Sequence, residues 1–299
     1  MRRLLIILIF TLTTPLFLLS QQKQTLKQLK QNILDTLAAQ KGFFAVAFKD
    51  LSTGKEIFIN EHDNFHAAST MKTPVMVEVF KQAAEKKFSL TDSLIIKNEF
   101  KSIVDQSIYN LNPDDDSEFE LYKQLGQKKT IKDIVYQMII ASSNLATNMI
   151  VELVDAKNVT ATMRSLGAKN IQVLRGVEDQ KAYDNGLNNT TTAYDLALLF
   201  EAIARKKIVN KSSCDAMIKI LLDQKFSDII PAKLPADVKV AHKTGWIKGL
   251  HHDSGILFLP NGRKYVLVIL SKNLEDEPAA VNAMASVSDM IYKYVTSSK

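Results

Sequence analysis

The sequence has few of the features on which several classes of protein depend. Its only cysteine, Cys214, cannot form an internal disulfide, and the helical pattern around it predicts a packed small side chain. The lysines are scattered, with no basic block and no interleaved aromatic residues, which argues against nucleic acid as a partner. No internal repeat or low-complexity linker interrupts the chain. With 46% hydrophobic and 23% charged residues, the composition is that of an ordinary globular protein.

The sequence also gives no support for a metal site. Asp114, Asp115 and Asp116, with Glu118 and Glu120, form one acidic stretch that lacks the glycine and the spacing of a calcium loop. We interpret this stretch as a solvated turn. We therefore expect neither a metal nor another cofactor.

Residues 1–20, MRRLLIILIFTLTTPLFLLS, differ from the rest of the chain. Two arginines precede an apolar run that ends at Leu19, and Ser20 and polar residues follow, as in a signal peptide. The alternative is an uncleaved membrane anchor, but a run of about 16 residues is short for a span and is broken by threonines and a proline. We predict cleavage near Ser20 and a secreted, periplasmic protein without stable membrane insertion. Losing two arginines lowers the net charge from +6 to about +4.

Strand patterns lie towards both ends of the remaining chain, and helix patterns fill its middle. A helical pattern over residues 22–40 precedes two strand patterns, and three more strand patterns after residue 235 precede an amphipathic C-terminal helix. This order predicts an α+β fold with one antiparallel sheet built from both ends of the chain and flanked by the terminal helices. We expect a sheet domain, a helical insertion and a monomer, with the sheet domain formed by 21–66 and 206–299 and the insertion by 67–205.

Ser69 and Lys72, in HAASTMKTPVMVEVF, stand three residues apart where a turn leads into an apolar helix. A serine hydroxyl at a helix start, one turn from a lysine amine, has the parts of an activated nucleophile. The alternative is a helix cap beside a solvated lysine. The same spacing also occurs at Ser20–Lys23 and at Ser52–Lys55, the latter in a predicted hairpin turn, so the pattern alone does not decide.

Two further stretches could complete a site. In MIIASSNLATNMIV, the corner Ser142-Ser143-Asn144 falls between two apolar helical segments and could direct a hydroxyl and an amide towards a cleft. In VAHKTGWI, Lys243-Thr244-Gly245 continues a strand and could supply a fixed charge, a hydroxyl and an open strand edge. Taken separately, the alternatives are an ordinary helix–helix turn and an ordinary strand end.

In this order, the serine-to-lysine motif, the serine–asparagine corner and the K-T-G strand resemble the motifs of class A serine β-lactamases and their transpeptidase-like relatives. The resemblance runs from about residue 25 to the C-terminus. It implies the β-lactamase/transpeptidase-like fold, in which an antiparallel five-stranded sheet with terminal helices carries an inserted all-α domain.

The resemblance also implies a role for each matching residue. Ser69 would be acylated by the β-lactam carbonyl, with Lys72 taking part in proton transfer. Ser142 would relay a proton to the leaving nitrogen, and Asn144 would bind the substrate's side-chain amide.

On the strand, Lys243 and Thr244 would hold the substrate carboxylate, and Gly245 would leave room for the substrate. The backbone N–H groups of Ser69 and Trp246 would form the oxyanion hole.

Two departures from the family pattern stand out. Ser143 replaces an aspartate that braces the corner in the family, and the bulky Trp246 stands where small residues are usual, so that its ring could narrow the site.

The family's deacylating glutamate lies on a loop before a helix that opens with two threonines. Here that loop contains Arg175, Glu178 and Asp179 ahead of Asn189 and its following threonines. Glu178 is the only glutamate in the loop, but its spacing from Arg175 does not match the family perfectly, and Asn189 replaces the usual acid. Glu178 is thus either the deacylating base or a surface residue.

Three histidine and aspartate residues invite comparison with a catalytic triad. His252 and Asp253 are adjacent, but Lys72 already fills the role of base, so we interpret the pair as hairpin residues near the rim of the site. His66 is interpreted as structural.

The resemblance implies a serine β-lactamase that hydrolyses β-lactam antibiotics through an acyl-enzyme on Ser69. One alternative is a peptidoglycan D-alanyl-D-alanine peptidase, or penicillin-binding protein, with slow deacylation. Another is a binding or sensor domain that is acylated once, against which the complete set of motifs argues. A small β-lactam or a peptidoglycan peptide is the expected partner.

Overall fold

The computed structural model describes residues 24–297, so the predicted signal peptide lies outside the described residues. Within this range the helices, in chain order, are α1 (Leu26–Ala38), α2 (Lys72–Ala84), α3 (Ile131–Ile140), α4 (Asn144–Val154), α5 (Ala156–Leu166), α6 (Gln180–Asp184), α7 (Ala193–Ala204), α8 (Lys211–Leu222) and α9 (Glu277–Ser297). The strands are β1 (Phe43–Asp50), β2 (Glu56–Ile59), β3 (Phe65–His66), β4 (Ser93–Ile95), β5 (Phe100–Lys101), β6 (Ile108–Tyr109), β7 (Lys128–Thr130), β8 (Thr190–Thr191), β9 (Lys239–Ile247), β10 (Leu250–Phe258) and β11 (Lys264–Lys272).

The main sheet has five strands in the order β2-β1-β11-β10-β9, and each neighbouring pair is antiparallel. It therefore joins the first two strands of the described chain to the last three, as predicted. Two hydrophobic cores lie on opposite faces of the sheet, and alternate residues of β1 pack into each. Val46 packs in the first core, with α1 and α9, and Ala47 packs in the second core, with the helices from the middle of the chain. The sheet is buried on both faces because helices cover each one.

Helices α2, α3, α4, α5, α7 and α8 share the second core with one face of the sheet. Side chains cap the N-termini of all of these helices except α2. The sequence predicts a threonine cap at Thr130 and another at one of Thr190, Thr191 and Thr192. Thr130 accepts a hydrogen bond from Asp133 N at 3.1 Å, and Thr192 accepts one from Asp195 N at 3.1 Å. Helix α8 contacts both α3 and β9. The division into a sheet domain and a helical insertion stays a prediction.

The segment around Ser69 differs in detail from the expected helix start. Ser69 lies in a short 3-10 turn, Ala68–Met71, and α2 begins only at Lys72. Since side chains three residues apart lie one above the other in a 3-10 turn, Ser69 and Lys72 still share a face. The strand before this turn, β3, pairs with β8, so that Phe65 lies opposite Thr191.

Among residues 24–297, no helix is both long enough and apolar enough to cross a membrane.

Candidate active site

A cleft of about 1240 Å³ opens between the 3-10 turn, the N-terminus of α4, the strand β9 and a loop of residues 174–189, here called the glutamate loop. Most of the predicted site residues line it: Ser69, Ser142, Asn144, Glu178, Thr244, Gly245 and Trp246. Lys72 and Lys243 lie beneath its floor and are fully buried. The structure therefore brings together every residue that the motifs singled out, from four separate parts of the chain.

The turn that carries Ser69 is held closely against β9. A Cβ atom added to Gly245 would lie 3.1 Å from Ser69 N, so only a glycine leaves this approach undisturbed. On the other side of the turn, Ala68 has a left-handed backbone with φ +43°, and His66 Nδ1 accepts a hydrogen bond from Ala68 N at 3.1 Å. The backbone N–H of Ser69 thus lies beside the strand that contains Trp246.

Two buried lysines converge on Ser142. Lys72 Nζ donates to Ser142 O at 2.6 Å and to Asn144 Oδ1 at 2.9 Å, and it lies 3.2 Å from Ser142 Oγ. Lys243 Nζ donates to the same Oγ at 3.0 Å. Ser142 holds this position with a left-handed backbone, φ +57°, which is uncommon for residues other than glycine and occurs often at functional sites.

Burial shifts the pKa of both lysines downwards. It lowers the pKa of Lys72 to about 7, and the negative charges of Asp116 and Glu178 only partly oppose this shift. Burial and the neighbouring Lys72 lower the pKa of Lys243, and Asp253 acts in the opposite direction. A neutral Lys72 amine is therefore available near neutral pH, as a proton acceptor requires.

Glu178 faces the cleft from the glutamate loop. Its Oε1 accepts a hydrogen bond from Asn144 Nδ2 at 2.5 Å, so the Asn144 amide lies between Glu178 and Lys72. The carboxylate is open to solvent through the mouth of the cleft, yet the enclosing walls desolvate it and raise its pKa, against the hydrogen bond from Asn144, which lowers it. Like Ser142, Glu178 has a left-handed backbone, φ +59°.

Two asparagines hold the glutamate loop in place. Asn148 Oδ1 accepts from Val177 N at 2.6 Å, and Asn148 Nδ2 donates to Val177 O at 3.0 Å. A side chain at Gly176 would overlap the Asn148 amide, so this close contact requires glycine.

Asn189 closes the other end of the loop. Its Oδ1 accepts from Leu174 N at 2.8 Å, and its Nδ2 donates to Arg175 O at 3.0 Å. The asparagine that stands in place of the family's acid therefore still ties the loop together, by donating and accepting at once.

The interpretation of the acidic stretch as a solvated turn was wrong for Asp116. Its carboxylate accepts hydrogen bonds from Asn144 N at 2.8 Å and Leu145 N at 2.9 Å, at the start of α4. The acidic composition of the stretch gave no sign of this contact, which joins residues 28 positions apart.

At the mouth of the cleft, Trp246 is 62% exposed and is held by one carboxylate. Trp246 Nε1 donates to Glu277 at 3.0 Å, and the same carboxylate accepts from Gly249 N at 2.8 Å and contacts His251 Nε2 at 2.9 Å. These hydrogen bonds lower the pKa of Glu277 to about 2. The indole ring is therefore a fixed part of the cleft wall.

His252 and Asp253 lie in β10 of the β9–β10 hairpin, as predicted, but the interpretation that they lie near the rim was wrong. Both are fully buried. His252 Nε2 donates to His66 O at 2.9 Å, whereas Asp253 pairs with His242 Nδ1 at 2.9 Å. The two side chains therefore serve different neighbours and form no triad with Ser69. In the described part of the chain, no cluster of three or more histidine, cysteine, aspartate or glutamate residues is placed to hold a metal ion.

Known proteins share this arrangement of elements. A β-lactamase from Sphaerobacter thermophilus superposes with a TM-score of 0.76 at 24% identity, covering 89% of this chain and 97% of that one. PBP-A superposes with a TM-score of 0.79 at 25% identity, covering 92% and 98%. A variant of PBP-A has been captured as an acyl-enzyme complex with penicillin G. The likeness to these structures confirms the predicted fold.

Sequence comparison gives the same result. A β-lactamase from Bacteroides uniformis is 23% identical over 283 residues, which cover 90% of this chain and 92% of the relative. The model of the β-lactamase enzyme family matches residues 27–295, nearly the whole of the described chain. The chain therefore belongs to the β-lactamase enzyme family.

Proposed function

We propose that the protein is a class A-type serine β-lactamase that hydrolyses β-lactams through an acyl-enzyme on Ser69. One observation carries the proposal: Lys72 and Lys243 both donate to Ser142 beneath the cleft that Ser69 lines. A helix cap and a solvated lysine would not require this convergence of two buried amines. Burying charged groups costs free energy, and such groups cluster at functional sites.

In the acylation step, Ser69 Oγ attacks the lactam carbonyl carbon and Lys72, as the neutral amine, accepts the hydroxyl proton. The backbone N–H groups of Ser69 and Trp246 stabilise the oxyanion. As the C–N bond breaks, Ser142 Oγ gives its proton to the leaving nitrogen, and the adjacent lysine ammonium replaces that proton.

The remaining residues bind the substrate. The Lys243 ammonium and the Thr244 hydroxyl hold the substrate carboxylate, and a bound anion favours the charged form of the buried lysine. Asn144 Nδ2 has a second hydrogen, which donates to the carbonyl of the substrate's side-chain amide. Gly245 leaves the strand edge open for the substrate.

Deacylation requires a base for the attacking water. Glu178 supplies it from the glutamate loop, and its position beside Asn144 places it within the cleft. Water attacks the ester carbonyl of acylated Ser69, Glu178 accepts the water proton, and the Ser69 hydroxyl is released with the opened product.

The alternative is a peptidoglycan D-alanyl-D-alanine peptidase with the same nucleophile and slow release of β-lactams. The likeness to PBP-A, at 25% identity and with a TM-score of 0.79, favours this second candidate. The two functions differ at deacylation, so turnover separates them.

The test is steady-state hydrolysis of a chromogenic cephalosporin by wild type and by Glu178→Gln. We expect sustained turnover in wild type and a loss of about 10²- to 10⁴-fold in the variant, which accumulates an acyl-enzyme visible by mass spectrometry. Glu152→Gln, the same change at an exposed position on α4, is the control and keeps wild-type turnover.

Other outcomes have distinct meanings. A stoichiometric burst without turnover in wild type favours the peptidase. If wild type shows no turnover, and neither wild type nor Glu178→Gln shows a penicillin adduct on Ser69, both functions are wrong.

A further inference from the structure

The carboxylate that accepts hydrogen bonds at the N-terminus of α4 belongs to Asp116 and not to the Ser142-Ser143-Asn144 corner. Asp116 Oδ2 accepts hydrogen bonds from Asn144 N at 2.8 Å and from Leu145 N at 2.9 Å. The hydroxyls of Tyr122, at 3.0 Å, and of Ser143, at 3.3 Å, donate to the same oxygen. Asp116 Oδ2 therefore accepts hydrogen bonds both from the corner at the start of α4 and from Tyr122, which is close to Asp116 in sequence.

Helix chemistry explains why an anion is stable there. The first N–H groups of a helix have no partner within it, and the helix dipole favours negative charge at this end. Ser143 Oγ caps α4 by accepting from Ala146 N at 3.2 Å, which leaves the N–H groups of Asn144 and Leu145 for another acceptor. Asp116 supplies that acceptor, and its own Oδ1 accepts from Glu118 N at 3.1 Å.

We propose, on the basis of the proposed function, that Asp116 is a positioning residue for acylation, because its carboxylate fixes the corner that presents Ser142 and Asn144 to Lys72. Ser142 needs such support because its left-handed backbone, φ +57°, is a conformation that a serine rarely adopts unaided. Asp116, which lies 28 positions before Asn144, thereby braces the corner in place of the aspartate that the family has at the position of Ser143.

Asp116 also acts through its charge. Three charged side chains interact with Lys72. They are Asp116 of the acidic stretch, Glu178 of the glutamate loop and Lys243 of β9. Burial lowers the pKa of Lys72, and the Asp116 and Glu178 carboxylates partly oppose this effect. Removing the Asp116 charge therefore favours the neutral Lys72 amine at lower pH.

The experiment follows covalent labelling of Ser69 by an excess of fluorescent penicillin in Glu178→Gln, in which the acyl-enzyme accumulates, and in the same variant carrying Asp116→Ala or Asp116→Asn. Labelling is measured well below the Tm of each variant, where essentially all of the protein is folded, so that loss of stability alone leaves the rate constant unchanged. Asp114→Ala is the matched control, because Asp114 is an exposed carboxylate of the same loop.

We expect Asp116→Ala to lower the labelling rate constant by about 10- to 100-fold, since small displacements of reacting groups have effects of this size. Asp114→Ala, made in the same background, keeps the Glu178→Gln value. Asp116→Asn is nearly isosteric and retains an acceptor oxygen, so it shows a smaller loss and a labelling profile whose acid limb moves to lower pH. This second variant carries the test if Asp116→Ala does not fold.

Unchanged rate constants and an unchanged acid limb in the folded Asp116 variants, with only a lower Tm, would overturn the inference, while labelling of Ser69 in Glu178→Gln upholds the proposed function. Absence of labelling in Glu178→Gln, together with absence of turnover in wild type, would instead overturn the proposed function, and this inference with it.

Discussion

At the scale of single residues, the site depends on charge that is kept out of water. A lysine amine is a poor base at neutral pH unless burial or nearby cations lower its pKa. Lys72 is fully buried and faces Lys243, and its pKa is lowered to about 7. The serine-to-lysine motif supplied the residue types, but this environment explains why this copy of the motif differs from Ser52–Lys55, which lies in an exposed turn.

The pH dependence of acylation follows from this shift. Lys72 accepts a proton only as the neutral amine, and with a pKa lowered to about 7 that form grows as pH rises through this value. We expect kcat/KM for hydrolysis of the chromogenic cephalosporin, which includes acylation but not deacylation, to rise along an acid limb centred near pH 7.

A profile measured between about pH 5 and 9 checks the limb. Lys72→Arg is the comparison, because a guanidinium stays protonated throughout this range and hydrolysis should be nearly abolished. A flat profile in wild type would contradict the assignment of Lys72 as the base.

At the scale of elements, close backbone contacts position the reacting groups. Gly245 allows β9 to lie close to the Ala68–Met71 turn that carries Ser69. Gly176 allows the glutamate loop to lie close to Asn148 on α4. A Cβ atom at Gly176 would overlap Asn148, and one at Gly245 would be crowded at 3.1 Å from Ser69 N. The loop therefore depends on α4 for its position, although hydrogen bonds to Asn189 close its far end.

Gly176→Ala tests the loop contact. The added methyl group would overlap the Asn148 amide and displace Val177 and Glu178, but it lies away from the Ser69 turn. We expect deacylation to fall by about 10²-fold, with acylation changed much less. Stopped-flow measurement of acyl-enzyme formation and decay separates the two steps.

The same substitution at Gly186 is the control. Gly186 lies in the same loop with φ +71° and open space around it, so alanine there costs only local backbone strain of about 1 kcal/mol. Equal loss of deacylation in both variants would show that the contact with Asn148 is not what positions Glu178.

At the scale of the whole molecule, the chain order builds the cleft. The sheet unites β1 and β2 with β9, β10 and β11, and the helices between them return the corner and the glutamate loop to the edge of β9. Residues as far apart as Ser142 and Lys243 thereby contact each other at 3.0 Å.

Export is the prediction that concerns the complete chain. Expressed in a bacterium with its leader, the 33.5 kDa protein should be recovered from the periplasm about 20 residues shorter. Intact-mass spectrometry and N-terminal sequencing locate the cleavage site, which we expect near Ser20. A full-length chain held in the membrane fraction would favour the anchor, and replacing Arg2 and Arg3 with glutamate provides an export-impaired control.

Local chemistry in the sequence was enough to predict the strands at both ends of the chain, the cap at Thr130, a cap among Thr190, Thr191 and Thr192, and the three motifs of the cleft. Each of these depends on neighbouring residues: side-chain periodicity sets strands and helices, and a cap needs a donor only three positions away. The family resemblance then indicated which motifs would meet.

The tertiary structure alone decided how the site is held. The brace from Asp116, the clamp from Asn148 and the separation of His252 from Asp253 join residues distant in sequence, or direct adjacent ones to different partners. Such hydrogen bonds leave no local periodicity, because they depend on which surfaces meet after the chain has packed.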